Sequence, residues 1–394
     1  DQLGYTEKTF FIYGYIPEKY SNDVFNFVKS NFDAYVKVYD IEESEDPPVL
    51  LENNKFAFPV ESVLESYSLP NKNEIDPTPI MAVFYYVLFG MMLSDAAYGI
   101  IMTLGCAFAI LKFKNMEQGL KRSLKMFMYC GISTTFWGFM FGSFFGDAIE
   151  VVAKTFFNNS QLQFKPLWFA PLDNPMRMLI FSFGLGILHI FTGLAINFYQ
   201  LCKAKKYKDA VYDVVFWMLL IGGAVAYLLS METFSEMMTI GFVLPNIVAN
   251  IALVSVIIGA VGILCTSGRD SKSIFKRFLK GAYGLYNVTG YLSDILSYSR
   301  LLALGLATGV ISNVFNKMAS MFGGGVVGAI AFTVVFVLGH SLNIGINLLG
   351  AYVHTNRLQF VEFFGRFYEG GGKEFSPFKV KTKYYKFQEE NDNG

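Results

Sequence analysis

Charge is scarce in this chain. Charged side chains make up 16% of its 394 residues, where soluble domains carry about a quarter. That is too few to cover a globular surface of this size. Neither sign is in surplus, with 32 Lys and Arg against 32 Asp and Glu, so overall charge points to no nucleic-acid partner. Cysteine is also sparse: Cys106, Cys130, Cys202 and Cys265 lie in or beside four separate apolar blocks. With no CxxC pair and no histidine at ligand spacing, no zinc site or disulfide framework is expected, and we read the four as small buried hydrophobes. A phosphate-cradling GxxxxGK[ST] loop is missing too. The nearest approach, Gly370-Gly371-Gly372-Lys373, lacks the first glycine spacing and the Ser/Thr. The chain is therefore expected to hold no cofactor or metal and to hydrolyse no ATP by itself. It opens on Asp1 rather than Met, and its first apolar block comes late. We expect no signal peptide and a start at the cut edge of a longer polypeptide.

What is abundant is hydrophobicity, at 53% of residues with 17% aromatic and a mean hydropathy of +0.38. The apolar residues fall in long blocks: Ile80–Lys112, Leu124–Phe145, Met178–Leu201, Val211–Ser230, Ile247–Thr266, Ala282–Lys317 and Val326–Phe364. About twenty apolar residues span a bilayer. The first block is longer than that and is interrupted by Ser94-Asp95, so one pass and a two-pass hairpin both fit it. The last two are over-long, which implies tilt or protrusion beyond the hydrocarbon. We expect an all-α polytopic membrane domain of about eight transmembrane helices, two of them long and tilted at the C-terminal end.

A small α/β soluble piece precedes it. Phe10–Ile16 reads as a strand ended by Pro17, Tyr20–Phe32 has helical spacing, and Tyr35–Ile41 alternates like a second strand. The acidic, proline-bearing stretch Glu42–Pro48 is a loop. The expected organisation is residues 1–78 as the end of a cytoplasmic domain with its linker, 79–368 as the transmembrane domain, and 369–394 as a cytoplasmic tail.

Loop charge gives the orientation. Lys112, Lys114, Lys121, Arg122 and Lys125 form one basic loop, Lys203, Lys205, Lys206 and Lys208 a second, and Arg269, Lys272, Lys276, Arg277 and Lys280 a third. The stretches between them, around 147–173, 232–236 and 320–325, are poor in Lys and Arg. The positive-inside rule puts the basic loops in the cytoplasm. The basic tail (Lys379, Lys381, Lys383, Lys386) joins them there. With the hairpin, so does the N-terminal piece.

Arg300 is the residue most out of place. It stands in the apolar run Tyr291–Ala307 with no further charge for many residues after it. An arginine at mid-membrane costs about 2.5–3.5 kcal/mol on insertion scales, so it should face a wet cavity or a buried anion. Two readings stand: a fixed positive charge in an ion path, or a structural salt bridge to an acid of the same chain such as Asp95 or Asp294. Ser297 and Ser293 lie three and seven residues before it on one face. Ala303, Ala307, Gly305 and Gly309 keep this helix slim enough for close approach of another backbone.

The last block carries a second polar stripe. Asn343, Asn347, Gly350, His354 and Arg357 recur at spacings of four and three, which is one helical face. Two such stripes facing each other would line a water-filled half-channel. Arg357 alternatively snorkels to the headgroups. Gln359 and Glu362 extend the candidate lining, with Glu362 either an ion-exit carboxylate or an interfacial charge. Asp95 and Asp147, beside glycines at membrane ends, read as structural, and His189 with Asn197 is either a polar patch or helix–helix glue, of which we take the second.

Four ordered motifs carry a resemblance: Phe89-Gly-Met-Met-Leu-Ser-Asp-Ala-Ala-Tyr-Gly99, Trp137-Gly-Phe-Met-Phe-Gly-Ser-Phe-Phe-Gly-Asp147, Ser299-Arg-Leu-Leu-Ala-Leu304 and His354-Thr-Asn-Arg-Leu-Gln-Phe-Val-Glu362. Together they resemble the membrane half of subunit a, or subunit I, of V-type and A-type rotary ATPases, over essentially the whole chain. The stretches Glu45–Leu51 and Asp76–Pro79 resemble its linker from the cytoplasmic arm. The resemblance implies a stator facing a rotating proteolipid ring, with stalk subunits and membrane lipids as its other partners. Arg300 and Arg357 would be its two motif arginines. Arg300 would draw the ring carboxylate out of its ion-bound state, between two half-channels. Eukaryotic members usually have histidine where Thr308 stands and glutamate where Asn347 stands. Losing both leaves room for Na⁺ beside H⁺ as the carried ion, and these differences with the short outer loops resemble prokaryotic members, in a bacterial plasma membrane. The rival from another class is a stand-alone secondary cation transporter, although no repeat relates the two halves; a third is a purely structural scaffold.

Overall fold

The computed structural model describes residues 4–5, 9–42, 45–159, 164–237, 243–269 and 274–377. The basic-loop residue Lys272 and the basic tail (Lys379, Lys381, Lys383, Lys386) lie outside them. Two compact units emerge: Asp1–Glu52 with Ser68–Glu74 and Gly370–Gly394, and Asn53–Tyr67 with Ile75–Glu369.

The described residues of the first unit form little regular structure. β1 (Gly4–Tyr5) pairs antiparallel with β2 (Phe10–Phe11), and α1 (Ser21–Asn31) follows where helical spacing predicted it. The predicted second strand at 35–41 does not form, and β2 stops at Phe11 instead of reaching Ile16. A strand is completed by a hydrogen-bonded neighbour, and here Tyr35 is 90% exposed with no partner strand beside it among the described residues. Alternation alone therefore overestimated the sheet.

The second unit is helical. After the short α2 (Glu61–Tyr67) come α3 (Thr78–Leu93), α4 (Ala96–Lys112) and α5 (Gln118–Phe141). The long first apolar block is thus two helices. They break where the sequence placed a break, because Ser94 turns left-handed (φ 40°) and Asp95 caps α4 by accepting from the Ala97 and Tyr98 amides. Asp95 also accepts from Ser143 Oγ at 2.6 Å and from the amides of Phe145 and Gly146. Its role is structural, as expected. Close approach of α4 and α5 depends on glycine: a Cβ on Gly131 would lie 2.4 Å from Thr103 Oγ1.

Then follow α6 (Ala148–Phe157), α7 (Pro175–Lys203), the single turn α8 (Tyr207–Ala210), α9 (Phe216–Leu229), α10 (Glu232–Met237) and α11 (Asn246–Thr266). α8 and α9 are joined through a π-helical turn, Val211–Val215. The predicted block 282–317 resolves into α12 (Ile274–Tyr286), α13 (Val288–Ser297) and α14 (Ser299–Ser320), with irregularities at Asn287 and Tyr298. α15 (Val326–Arg357) ends in a π-helical turn, Leu358–Phe363. Among the described residues, five helical stretches are long and apolar enough to cross a membrane. The last two, Phe275–Ser320 and Val326–Arg366, run 46 and 41 residues, as over-long as expected. α3 and α4 are shorter but deeply placed: Met81, Tyr85, Leu88, Phe89 and Tyr98 are fully buried. They form the apolar centre against which α14 and α15 pack.

Candidate functional site

The candidate site is built where α13 gives way to α14. At Tyr298 the regular helix is interrupted, and the Ser297 carbonyl accepts a hydrogen bond from Arg300 Nε at 2.9 Å. The guanidinium therefore caps the break beneath it. From there Nη2 reaches Glu362 Oε1 at 2.5 Å, in the π-helical turn that follows α15. The Glu362 side chain is 2% exposed and that of Arg300 18%, so the carboxylate is sealed while the arginine side chain is partly exposed.

Arg300 thus has an acid of its own chain, but neither of the two the sequence suggested. Asp95 is consumed by its cap, and Asp294 pairs with Arg366. The Arg366 guanidinium also stacks on the Tyr291 ring, 3.8 Å from its centroid. Two ion pairs therefore join α13 and α14 to the segment after α15. The charges run Asp294, Arg300 on one side and Glu362, Arg366 on the other, so antiparallel packing matches each acid to a base. Pairing of this kind is what low-dielectric surroundings demand of buried charge.

The site is polar beyond its satisfied contacts. Arg300 Nη1, Glu362 Oε2, Arg366 Nε and both amide atoms of Gln359 are buried without a hydrogen-bond partner among the described residues. Gln359 is fully buried against the His189 ring. Buried polar atoms are rarely left unpaired, so several converging here mark a polar seam.

The other predicted residues divide into groups. Ser297 donates to the Ser293 carbonyl, at 3.0 Å, and neither serine reaches α15 in a hydrogen bond among the described residues. His354 is part-buried with Nδ1 unpartnered. Arg357 is exposed and forms no ion pair among the described residues. Asn343 and Asn347 are buried, but farther along the helices. Asn343 Nδ2 donates to Ser312 Oγ at 2.8 Å and to Tyr98 Oη at 2.9 Å, and Asn347 Nδ2 donates to Asn343 Oδ1. The facing polar stripes are therefore corrected. Opposite Asn343 stand Thr308 and Ser312, not Ser293 and Ser297, because α14 and α15 run antiparallel and Arg300 is already level with Glu362.

This second network holds residues the sequence did not flag. His340 Nδ1 lies 2.6 Å from Tyr98 Oη, and Nε2 lies 2.9 Å from Asn316 Oδ1. Asn316 Nδ2 donates onward to Asp147 Oδ1 and to the Phe145 carbonyl. Beside Asp147 a cavity of about 110 Å³ opens, lined by Ser94, Ser143, Glu150, Asn313, Gly305 and Gly309 among others. His189, read as glue, does join two helices: its Nδ1 is hydrogen-bonded to Tyr298 Oη beside Arg300. Asn197 donates to the Arg366 carbonyl, at 2.8 Å. The Asn316/His340 spacing could not have been found from periodicity, since the partners come from different helices.

Comparison with known proteins agrees with the motifs. The model of the V-type ATPase 116kDa subunit family matches residues 2–205 and 287–380. "A-type ATP synthase subunit I" of Methanocaldococcus jannaschii is 32% identical over 97% of this chain and 57% of its own length. The protein of the same description from Thermococcus kodakarensis is 33% identical over 98% of this chain and 56% of its own. "V-type ATP synthase subunit I" of Borreliella burgdorferi is 28% identical, covering 95% and 60%. The chain spans a little over half the length of these relatives. With the matched model extending over more than half of its residues and the four motifs inside that match, the chain belongs to the V-type ATPase 116kDa subunit family, whose prokaryotic relatives are named subunit I.

Proposed function

We propose that this chain is the membrane part of the stator of a rotary ATPase, not an enzyme by itself, and that Arg300 governs release and reloading of the ion on the proteolipid ring. The observation that carries this reading is the Arg300–Glu362 pair at the α13–α14 break, with one side of the guanidinium unpartnered. A guanidinium never gives up its proton and strongly favours the ionised form of a nearby carboxylate. A ring carboxylate arriving beside the partly exposed arginine side chain competes with Glu362 for the guanidinium, loses its ion, and moves on. Glu362 keeps the positive charge neutralised between passages. The same charge blocks a straight leak between two half-channels.

On this reading the polar seam of Gln359, Glu362 and His354 serves the cytoplasmic side, with Ser293 and Ser297 beside it. The network of Asn343 and Asn347 lies toward the outer side. Arg357, exposed at the end of α15, is the second arginine at the ring face. About eight crossings, with both termini cytoplasmic in a prokaryotic plasma membrane, fit the basic loops. The carried ion is Na⁺ or H⁺, no cofactor is held by this chain, and the partners are the proteolipid ring, the central and peripheral stalks and the surrounding lipid.

The experiment is ATP-driven ion uptake by the whole complex in proteoliposomes, with and without sodium and a protonophore. Arg300→Ala is expected to assemble and to lose coupled transport. Undiminished pumping by that variant, or solute uptake by the lone chain, overturns the reading.

A further inference from the structure

We propose that His189 on α7 is a positioning residue for Arg300, acting through Tyr298. Tyr298 is the residue at which α13 ends and α14 begins, and its ring is fully buried. Its hydroxyl is hydrogen-bonded to His189 Nδ1 at 2.8 Å. One turn back on the same face of α7, Gly186 gives the tyrosine ring its slot: a Cβ there would lie 2.5 Å from Tyr298 Cδ2. A histidine and a glycine three residues apart thus hold the ring by its tip and by its flank.

His189 is itself fixed. Its fully buried ring stacks between Phe84 of α3, centroids 4.2 Å apart, and Phe363, centroids 4.3 Å apart, with both neighbours within 24° of parallel. Among the described residues its one hydrogen bond of normal geometry is at Nδ1, while Nε2 is buried with the Gln359 amide beside the ring. Phe363 follows Glu362 directly, and Tyr298 precedes Arg300 by two residues. One imidazole therefore touches the backbone neighbourhood of both members of the ion pair. At the break, Arg300 Nε is bonded to the carbonyl of Ser297, so a shift of the Tyr298 backbone moves the root and the first hydrogen bond of the guanidinium together. Placement errors of about 1 Å at a reacting group are enough to cost about two orders of magnitude in rate.

The inference rests on the stator reading, and the test keeps the two apart. Whole complexes carrying Tyr298→Phe, His189→Ala, His189→Asn or Gly186→Ala are reconstituted, and ions moved per ATP hydrolysed are measured at equal amounts of assembled complex. Tyr298→Phe removes one hydroxyl and no ring volume. It, His189→Ala and Gly186→Ala are expected to lower the coupling ratio at least tenfold while ATP hydrolysis continues. His189→Asn, whose amide reaches the place of Nδ1, is expected to recover at least half of the ratio. Tyr86→Phe, which removes a hydroxyl bonded to the Phe56 carbonyl away from the arginine, is expected to keep the ratio. If Arg300→Ala pumps normally, the stator reading fails. If Arg300→Ala is dead while Tyr298→Phe and His189→Ala couple as wild type, the positioning role fails alone. Equal loss in Tyr86→Phe and Tyr298→Phe, or no recovery by His189→Asn, overturns it as well.

Discussion

Asn343 and Tyr98 are 245 residues apart in sequence, yet the asparagine amide donates to the tyrosine hydroxyl at 2.9 Å. That bond ties α15 to α4, and through Ser312 and His340 the same hydroxyl reaches α14 and a second point of α15. One oxygen thus serves three long helices in the apolar centre.

Removing it should be costly. Tyr98→Phe leaves the His340 ring and the Asn343 amide each short of a partner in a buried setting, where an unpaired group costs about 1–3 kcal/mol. A lowered unfolding temperature in detergent is expected, with the single Asn343→Leu variant similarly affected. Wild-type melting by Tyr98→Phe would contradict the network.

Stability and transport should separate at the ion pair. Arg300→Ala strands the sealed Glu362 carboxylate, and breaking one side of a buried pair costs roughly 3–5 kcal/mol. The double variant Arg300→Met/Glu362→Leu removes both charges and should regain most of that stability in a thermal melt. It should still transport no ion in proteoliposomes.

Glu61 gives a pH test outside the apolar helices. Burial raises its carboxyl above the usual carboxylate range, a rise partly offset by hydrogen bonding from Asn53 and by the Arg122 charge, whose Nη2 lies 3.8 Å away. Below the ordinary pKa of about 4.3 the group is protonated folded or unfolded, and contributes nothing. As pH rises through the raised folded value, the folded chain must keep a proton or hold a buried charge, and stability falls. Glu61→Gln should therefore melt higher than wild type at pH 8, with the gap closing on acidification toward pH 4. Arg122 is not stranded, because Nη1 keeps Glu65 at 2.9 Å. A gap that widens on acidification would refute the assignment.

Close packing of α4 on α5 gives the fourth test. Gly131→Ala drives a methyl against Thr103, whose Oγ1 and amide nitrogen would lie 2.4 and 2.9 Å away. Overpacking of this kind costs about 1–3 kcal/mol. Gly105→Ala, two residues beyond Thr103 on α4, meets nothing within 4 Å and should melt no lower than wild type. Equal melting of the two variants would argue against the interface.

Sequence by itself determined the class of molecule, the apolar blocks, the break at Ser94-Asp95 and the isolated charge of Arg300 in its apolar run, because each depends on local chemistry. Length of apolar run, a capping side chain and an isolated charge need no knowledge of neighbours. It also fixed that Asn343, Asn347 and His354 share a helical face, since periodicity is set by the backbone. What that face meets was decided by the tertiary structure alone. Antiparallel packing of α14 and α15 gave Arg300 to Glu362, Asp294 to Arg366 and Asn343 to Ser312. It likewise decided that the helix His189 joins is the one bearing Tyr298. Spacing along one helix says which side chains point together; which helix stands opposite, and at what height, is set by how the apolar faces of the whole bundle fit.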